Sequence, residues 1–516
     1  MESSSVNTRC TYKCADAKDG SMTLLVTIDG REFPLHSRVA PAREAAETAP
    51  DPGRYDLVIA LGCGLGYSML PLKDELQRYK RVIIIDILRG IENDIGRNVN
   101  TGFLASSRNV QFITGKDIPE IEKFLAVTVT LDEHKGIHVR EHSASFKLFP
   151  EYYSSVKAAV KRVLDKKASG AATVKAFGRA FLRNALFNAE QIESLHPVSS
   201  LAGRFAGFRG LIVSSAPSVE SHMAQIRANR NRFVIIAVDS AIPMLEQNGI
   251  TPELCVSIDP QHRIAEHLLG HRGERTAHVF SIVSPPATVK RYSGFVSLNS
   301  HPVSQVIENL YPGITGSIDS STGSVAGDAL ALALLCGFES IAMAGFDFSF
   351  THNNIYARGT AYQQRYATMF NTRLRTPESF NAEYIFKSSR GFIESNRYTR
   401  RSFTGYRDSL ARYIKENCPG RVHWIGGGLL PHGVVPATVD DFISAPVGYD
   451  TAERAAEIIR QAERSAMGVD PVKVREFLTR DDVWEELVKE SVGGSISLED
   501  YAKLRRWAAG RVRGEA

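Results

Sequence analysis

Between residues 210 and 260 the sequence carries three short apolar runs, at 211–215, 233–238 and 254–258, separated by stretches that suit helices at 219–227 and 241–247. Every position in these runs is apolar or small, rather than every second one, as expected for strands covered on both faces. Each run stops on a polar cluster: Ser214-Ser215-Ala216-Pro217-Ser218, Asp239-Ser240 and Asp259-Pro260. Asn248-Gly249 ends the second helical stretch, and glycine supplies the backbone freedom for that stop. Further apolar runs near 278–282, 295–298 and 341–344 continue the pattern. Short buried strands alternating with helices specify a parallel, doubly wound sheet.

The N-terminal part repeats the theme on a smaller scale. Residues 21–35 alternate around Asp29-Gly30, which predicts a β-hairpin. A strand at 56–60 runs into Gly62-Cys63-Gly64-Leu65-Gly66; a helix should follow, then a strand at 81–85 ending on Asp86. That is the order of a dinucleotide- or methyl-donor-binding unit. The spacing is GxGxG rather than GxGxxG, with no phosphate-binding group nearby, so a tight packing turn is the simpler reading and a ligand loop the other. Residues 151–193 have helical periodicity, and the chain is helical and charged from about 450. There Trp484, Leu487 and Val488 mark one apolar face, and Leu504 and Trp507 another. The expected fold class is α/β, with two Rossmann-like, mostly parallel domains at 1–195 and 196–438 and a helical C-terminal region at 439–516. A length of 516 residues exceeds one compact core and fits this division.

A formal charge of +5 gives no general case for nucleic-acid binding. Residues 1–20 lack the apolar stretch of a signal peptide, and no window has the roughly 18 apolar residues of a membrane span. Cys10, Cys14, Cys63, Cys255, Cys336 and Cys418 are too scattered for a zinc site. The expectation is a cytoplasmic enzyme without structural metal, without a membrane and without nucleic acid as partner.

Ligands of open parallel sheets bind beyond the C-terminal strand ends, where the three polar clusters lie. Ser218 suits either an anion at a helix N-terminus or an ordinary N-cap. A fourth cluster, Asp319-Ser320-Ser321-Thr322-Gly323-Ser324, precedes an apolar helix at 325–335 and is a second candidate cradle for phosphate or ribose. No GxxxxGK[ST] occurs, which disfavours P-loop NTPase chemistry. Residues 358–412 hold 11 Lys/Arg against 4 Asp/Glu, a net of +7, interleaved with Tyr384, Phe386, Phe392, Tyr398 and Phe403. This segment reads as a flexible electropositive lid or as a solvated charged face. His352, after Phe350-Thr351, is the first candidate for a general base, with a surface histidine as the alternative.

Leu35-His36-Ser37, Gly62-Cys63-Gly64-Leu65-Gly66-Tyr67, Ser215-Ala216-Pro217-Ser218, Ala237-Val238-Asp239-Ser240, Ser257-Ile258-Asp259-Pro260 and Gly345-Phe346-Asp347-Phe348, in this order, resemble the motility-associated factor (Maf) family. The resemblance runs from about residue 30 to about 436. It implies transfer of a nonulosonic acid from a CMP-activated sugar to Ser/Thr hydroxyls of flagellin, with no tightly bound cofactor and no metal. The central domain is also similar to bacterial sialyltransferases. That similarity implies donor contacts at Ser215, Ala216, Pro217, Ser218, Asp259, Pro260, Thr322, Gly323 and Ser324; Asp239, Ser240 and Ser321, from the same polar clusters, complete the candidate donor site. The same similarity implies catalytic roles for Asp347 and for Tyr356, the tyrosine steadying the departing phosphate; His352 joins them as the candidate base read from the residues themselves. The chain departs from that pattern in Ser215 and Ala216 for glycines, Ser349 for a tyrosine, and no histidine in 385–410. Two alternatives stay open: an ATP- and Mg²⁺-dependent hydroxymethylpterin pyrophosphokinase using Asp239, Asp259 and Asp347, and a non-catalytic flagellin-binding factor.

Overall fold

The computed structural model describes residues 10–44, 48–130, 134–292, 294–369, 375–443, 451–492, 502–504 and 506; Trp507 lies outside them. The chain divides into two units, Met1–Ala176 and Phe177–Ala516, with the division inside the helix Pro150–Glu190.

In the first unit, β1 (Cys10–Asp16), β2 (Met22–Ile28) and β3 (Arg31–Pro34) form an antiparallel sheet. The predicted turn closes it, with Asp29 and Gly30 both at positive φ, the conformation a two-residue hairpin requires. Four further strands, β4 (Leu57–Leu61), β5 (Arg81–Asp86), β6 (Val110–Thr114) and β7 (Ile137–Glu141), make a parallel sheet in the order β6-β5-β4-β7. The helix expected after the glycine turn is instead a 3-10 helix, Tyr67–Arg78, with Pro71 inside it. Proline lacks the N–H that an α-helical ladder needs there.

The second unit is built on nine parallel strands. They are β8 (His196–Pro197), β9 (Arg209–Val213), β10 (Val234–Val238), β11 (Leu254–Ser257), β12 (Ala277–Ser281), β13 (Gly294–Ser297), β14 (Ser340–Ala344), β17 (Val422–Ile425) and β18 (Val435–Ala437). A two-stranded hairpin, β15 (Ile393–Glu394) and β16 (Arg397–Tyr398), stands apart from it. The sheet order is β18-β17-β14-β9-β10-β11-β12-β13-β8. From β9 the chain builds outward through β10 to β13, then returns to place β14 on the other side of β9. The topological switch point is therefore between β9 and β14.

The six expected strands are present within two residues of their predicted bounds. Val234–Val238 is wholly buried, as are Leu211, Ile212 and Val213 and the run from Ile341 to Ala344. Burying one such aliphatic side chain contributes about 1.5–3 kcal/mol, which is why apolar runs so short suffice to fix strands. Behind the sheet lies the apolar helix Val325–Cys336, closed by Gly337 at φ 83°. The C-terminal region is helical as expected, with Thr451–Glu463, Pro471–Leu478 and Asp481–Val492. Trp484, Leu487 and Val488 are buried in one cluster with Leu182, Phe280 and Ile307, and Leu504 packs against it. Among the described residues no helix is long and apolar enough to cross a membrane.

Candidate functional site

The β9 and β14 ends are joined by hydrogen bonds. Ser214 N–H donates to Ala344 O at 2.9 Å and Ala216 N–H to Gly345 O at 3.1 Å. Gly345 has φ 75°, and a Cβ there would come within 2.5 Å of Ser214 O, so the approach requires glycine. Next, Ser218 donates its N–H to Asp347 Oδ2 at 3.1 Å and its hydroxyl to Asp347 Oδ1. Ser218 is therefore neither a helix N-cap nor an open anion donor. It lies within a 3-10 helix, Pro217–His222, whose N-cap is Ala216. Asp347 is 1% exposed, and burial pushes its carboxyl above the usual range. The Gly426-Gly427-Gly428 loop after β17 closes over this pair. Leu429 N–H donates to Asp347 O at 2.7 Å, and a Cβ on Gly426 would approach Ser218 Oγ to 2.9 Å. Sequence reasoning did not single out these glycines.

At the end of β10, Ser240 Oγ donates to Ser215 Oγ at 2.9 Å. Asp239 Oδ1 accepts from His267 Nδ1 at 2.9 Å, and both residues are buried. An ionised carboxylate only accepts, so the ring proton is on Nδ1. The His267 Nε2 is buried without a hydrogen-bond partner. His267 was missed because nothing in its local sequence marks it. Tyr362 meets its ring edge-on at 4.6 Å, and Tyr356 stacks on Tyr362 at 4.4 Å. Asp259 Oδ1 accepts from Gln261 N–H at 2.8 Å, and Pro260 O accepts from Asn184.

The hydroxyl cluster before Val325–Cys336 is largely tied to itself. Ser320 donates its N–H and hydroxyl to Asp328 Oδ1 at 2.8 and 2.6 Å, and Thr322 Oγ1 lies 2.9 Å from Ser320 Oγ. Burial pushes the Asp328 carboxyl up to about 6. Ser321 and Gly323 both adopt positive φ. The Ser324 hydroxyl is buried with no partner, and Gly323 is exposed.

The basic segment, read as a flexible lid or a solvated charged face, has regular secondary structure. Its described residues form the helices Ala361–Met369, Pro377–Ser389 and Arg401–Asn417 together with the β15–β16 hairpin. Much of its charge is paired: Arg358 with Glu220, Arg365 with Glu266, Lys387 with Glu383 and Arg407 with Glu394. These pairs hold the segment in place. Under it a cavity of about 470 Å³ is lined by His352, Tyr356, Arg358, Glu220 and Asn381, among others. His352 and Tyr356 are thus brought together, whereas Asp347 is engaged with Ser218.

In the first unit the glycine turn is filled by its own chain. Asp86 Oδ2 accepts from Cys63 N–H at 2.8 Å and Gly64 N–H at 3.0 Å, and Oδ1 accepts from Leu88 N–H at 3.0 Å. Leu65 N–H donates to His36 Nε2 at 2.8 Å, and His36 Nδ1 meets Glu44 at 2.6 Å. The N–H groups that would cradle a phosphate are therefore already satisfied. Among the described residues, His36, Glu44 and His142 are the one group of metal-ligand type within a shared reach of 4.8 Å. A His36 ring that accepts at Nε2 carries its proton at Nδ1, which leaves no lone pair there for an ion.

Residues 183–353 match a family described as 6-hydroxymethylpterin diphosphokinase MptE-like. Three uncharacterised proteins of Treponema pallidum (strain Nichols) are similar in sequence. One is 33% identical over 86 residues, which is 17% of this chain and 40% of the relative. The second is 32% identical over 118 residues, 22% and 26% of the two chains, and the third 25% identical over 223 residues, 41% and 72%. The first two matches thus span less than half of those relatives. A Maf glycosyltransferase from Magnetospirillum magneticum AMB-1 superposes over 97% of this chain and 86% of its own, with a TM-score of 0.59 at 13% identity. The chain shares the Maf glycosyltransferase fold. The likeness takes in nearly the whole chain, beyond the stretch that carried the motifs.

Proposed function

We propose that this chain is a glycosyltransferase that moves a nonulosonic acid from a CMP-activated donor to Ser/Thr hydroxyls of flagellin. The observation that carries this reading is the cavity that holds both His352 and Tyr356, in a chain with the Maf glycosyltransferase fold. The donor nucleotide lies along the strand ends, against Ser215, Ser240, Asp259 and the Thr322-Gly323-Ser324 turn. Asp347 orients Ser218 and, through it, the first of these turns. Tyr356 donates to the departing phosphate, and His352 takes the proton of the acceptor hydroxyl. Hydroxyl donors fixed before the bond breaks stabilise the charge that develops on the leaving group.

Thermal denaturation with CMP, CTP and ATP, each with and without Mg²⁺, tests this. A ligand at 100 times its dissociation constant adds about 2.7 kcal/mol of stability. The expected result is stabilisation by the cytidine nucleotides without metal, exceeding that by ATP. The family match over 183–353 favours a second reading, pyrophosphate transfer from ATP to a hydroxymethylpterin. That chemistry needs Mg²⁺ on carboxylates, yet Asp239 is bonded to His267 and Asp347 to Ser218. Among the described residues Asp239, Asp259 and Asp347 do not form a three-ligand group within 4.8 Å of one another, so no preformed three-carboxylate site supports this reading. Stabilisation by ATP with Mg²⁺ alone would move the assignment to this second reading.

A further inference from the structure

A second cavity, of about 590 Å³, opens at the C-terminal ends of β11 and β12. Arg179, Arg183, His262 and Lys503 line it, and no carboxylate is among its lining residues. Arg179, Arg183 and Phe187 recur every four residues along the helix Pro150–Glu190, which places them on one helical face. The two guanidinium groups are thus one turn apart and bracket the same space. Arg183 reaches His262 Nε2 at 3.2 Å. A guanidinium has five N–H donors in a planar fork, so this contact leaves donors for an oxyanion.

Asn184 makes this a built site. It is 1% exposed, and its Nδ2 donates to Pro260 O and Val283 O, each at 3.0 Å. Those two carbonyls fix which end of the amide is nitrogen and tie the helix to both strand ends. The other end, Asn184 Oδ1, is a buried acceptor without a partner.

We propose that this cavity binds a small ligand carrying one oxyanion group, with the oxyanion held by Arg179, Arg183 and Lys503. Its volume lies within the range of small-molecule sites. A phosphate ester and a sugar acid share this chemistry, and the site does not rest on the donor reading above.

Isothermal titration of the full chain with ribose 5-phosphate and with glucuronate, against sodium chloride of equal ionic strength, separates the two sources. Saturable binding of either probe is expected, and the tighter one identifies the oxyanion. Arg179→Gln with Arg183→Gln should weaken it at least tenfold and leave CMP binding unchanged, since both side chains are exposed and distinct from the donor turns. If the double variant is unstable, Lys503→Gln alone should weaken binding several-fold. Heats no larger than those of chloride, or equal affinity in wild type and variants, would overturn the proposal. Loss of CMP binding in the wild type would instead count against the donor reading alone.

Discussion

Ser218 and Asp347, 129 residues apart, are joined twice, through the serine N–H and through its hydroxyl. The pair crosses the switch point and connects the turn after β9 to the turn after β14. The first unit shows the same device, with Asp86 taking the N–H groups of Cys63 and Gly64. In each unit an acidic residue at or just beyond the end of one strand organises the turn after its neighbour. Asp347→Ala leaves the two Ser218 donors without a partner and should cost about 1–3 kcal/mol of stability, measured by urea denaturation. Ser218→Ala removes only one donor and should cost less. Equal stability of wild type and Asp347→Ala would show that the pair does not hold the turns together.

The glycine turn of the first unit gives a prediction that separates packing from binding. Gly64 has φ 52°, and a Cβ there would collide with the His36 ring. Gly64→Ala should therefore lower the melting temperature, by strain and by loss of the His36–Leu65 contact. Nucleotide affinity of the remaining folded protein should not change. Selective loss of affinity at an unchanged melting temperature would mean that the turn holds a ligand.

Local sequence was enough to place β4, β5 and β9 to β14, because a buried strand announces itself as an apolar run. It did not single out β1, β6, β7, β8 or the β15–β16 hairpin. It was not enough for β17, Val422–Ile425, whose four residues include His423 and Trp424, or for β18, where Pro436 breaks the pattern. Proline is tolerated there because β18 is at the sheet edge. The polar strand ends were legible as a group, but their partners were not. The Ser218–Asp347 pair and the Asp239–His267 pair depend on tertiary packing across 129 and 28 residues. The ion pairs of the basic segment were equally hidden, because Arg358 and Arg365 meet Glu220 and Glu266 from distant parts of the chain. Composition reports the charge and not its partner.

Asp328 gives a pH signature. Its folded carboxyl titrates at about 6 because of burial, against an ordinary value of 3.8. A carboxyl with a raised folded pKa binds its proton better in the folded state, so stability falls as pH rises from about 4 to about 6. The shift corresponds to about 3 kcal/mol at most. His142 and His301, pushed down to about 4 by burial, act in the opposite sense over an overlapping range. The informative quantity is therefore the difference between wild type and Asp328→Asn, followed by urea denaturation from pH 4 to 7. That difference should shift in favour of the variant as pH rises. A difference independent of pH would show that Asp328 does not titrate in this window.

The identity of the proton acceptor is open to a direct comparison of two histidines. His352 is exposed at the cavity it shares with Tyr356, in a left-handed conformation at φ 54°. His267 is buried on Asp239, with Nε2 unpaired. If His352 is the base, His352→Ala should lower kcat about 100-fold and leave donor affinity nearly unchanged. His267→Asn should then alter binding or stability more than the pH profile of kcat. Asp259→Ala and Thr322→Val serve as the reference for donor binding. Each removes one hydrogen-bonding group at a strand end or turn, and each should cost about 10- to 100-fold in kcat/KM. If His352→Ala keeps full turnover while His267→Asn removes the acid limb of the pH profile, the base is the Asp239–His267 pair. Full activity in all four variants would place the chemistry outside the nine-stranded sheet.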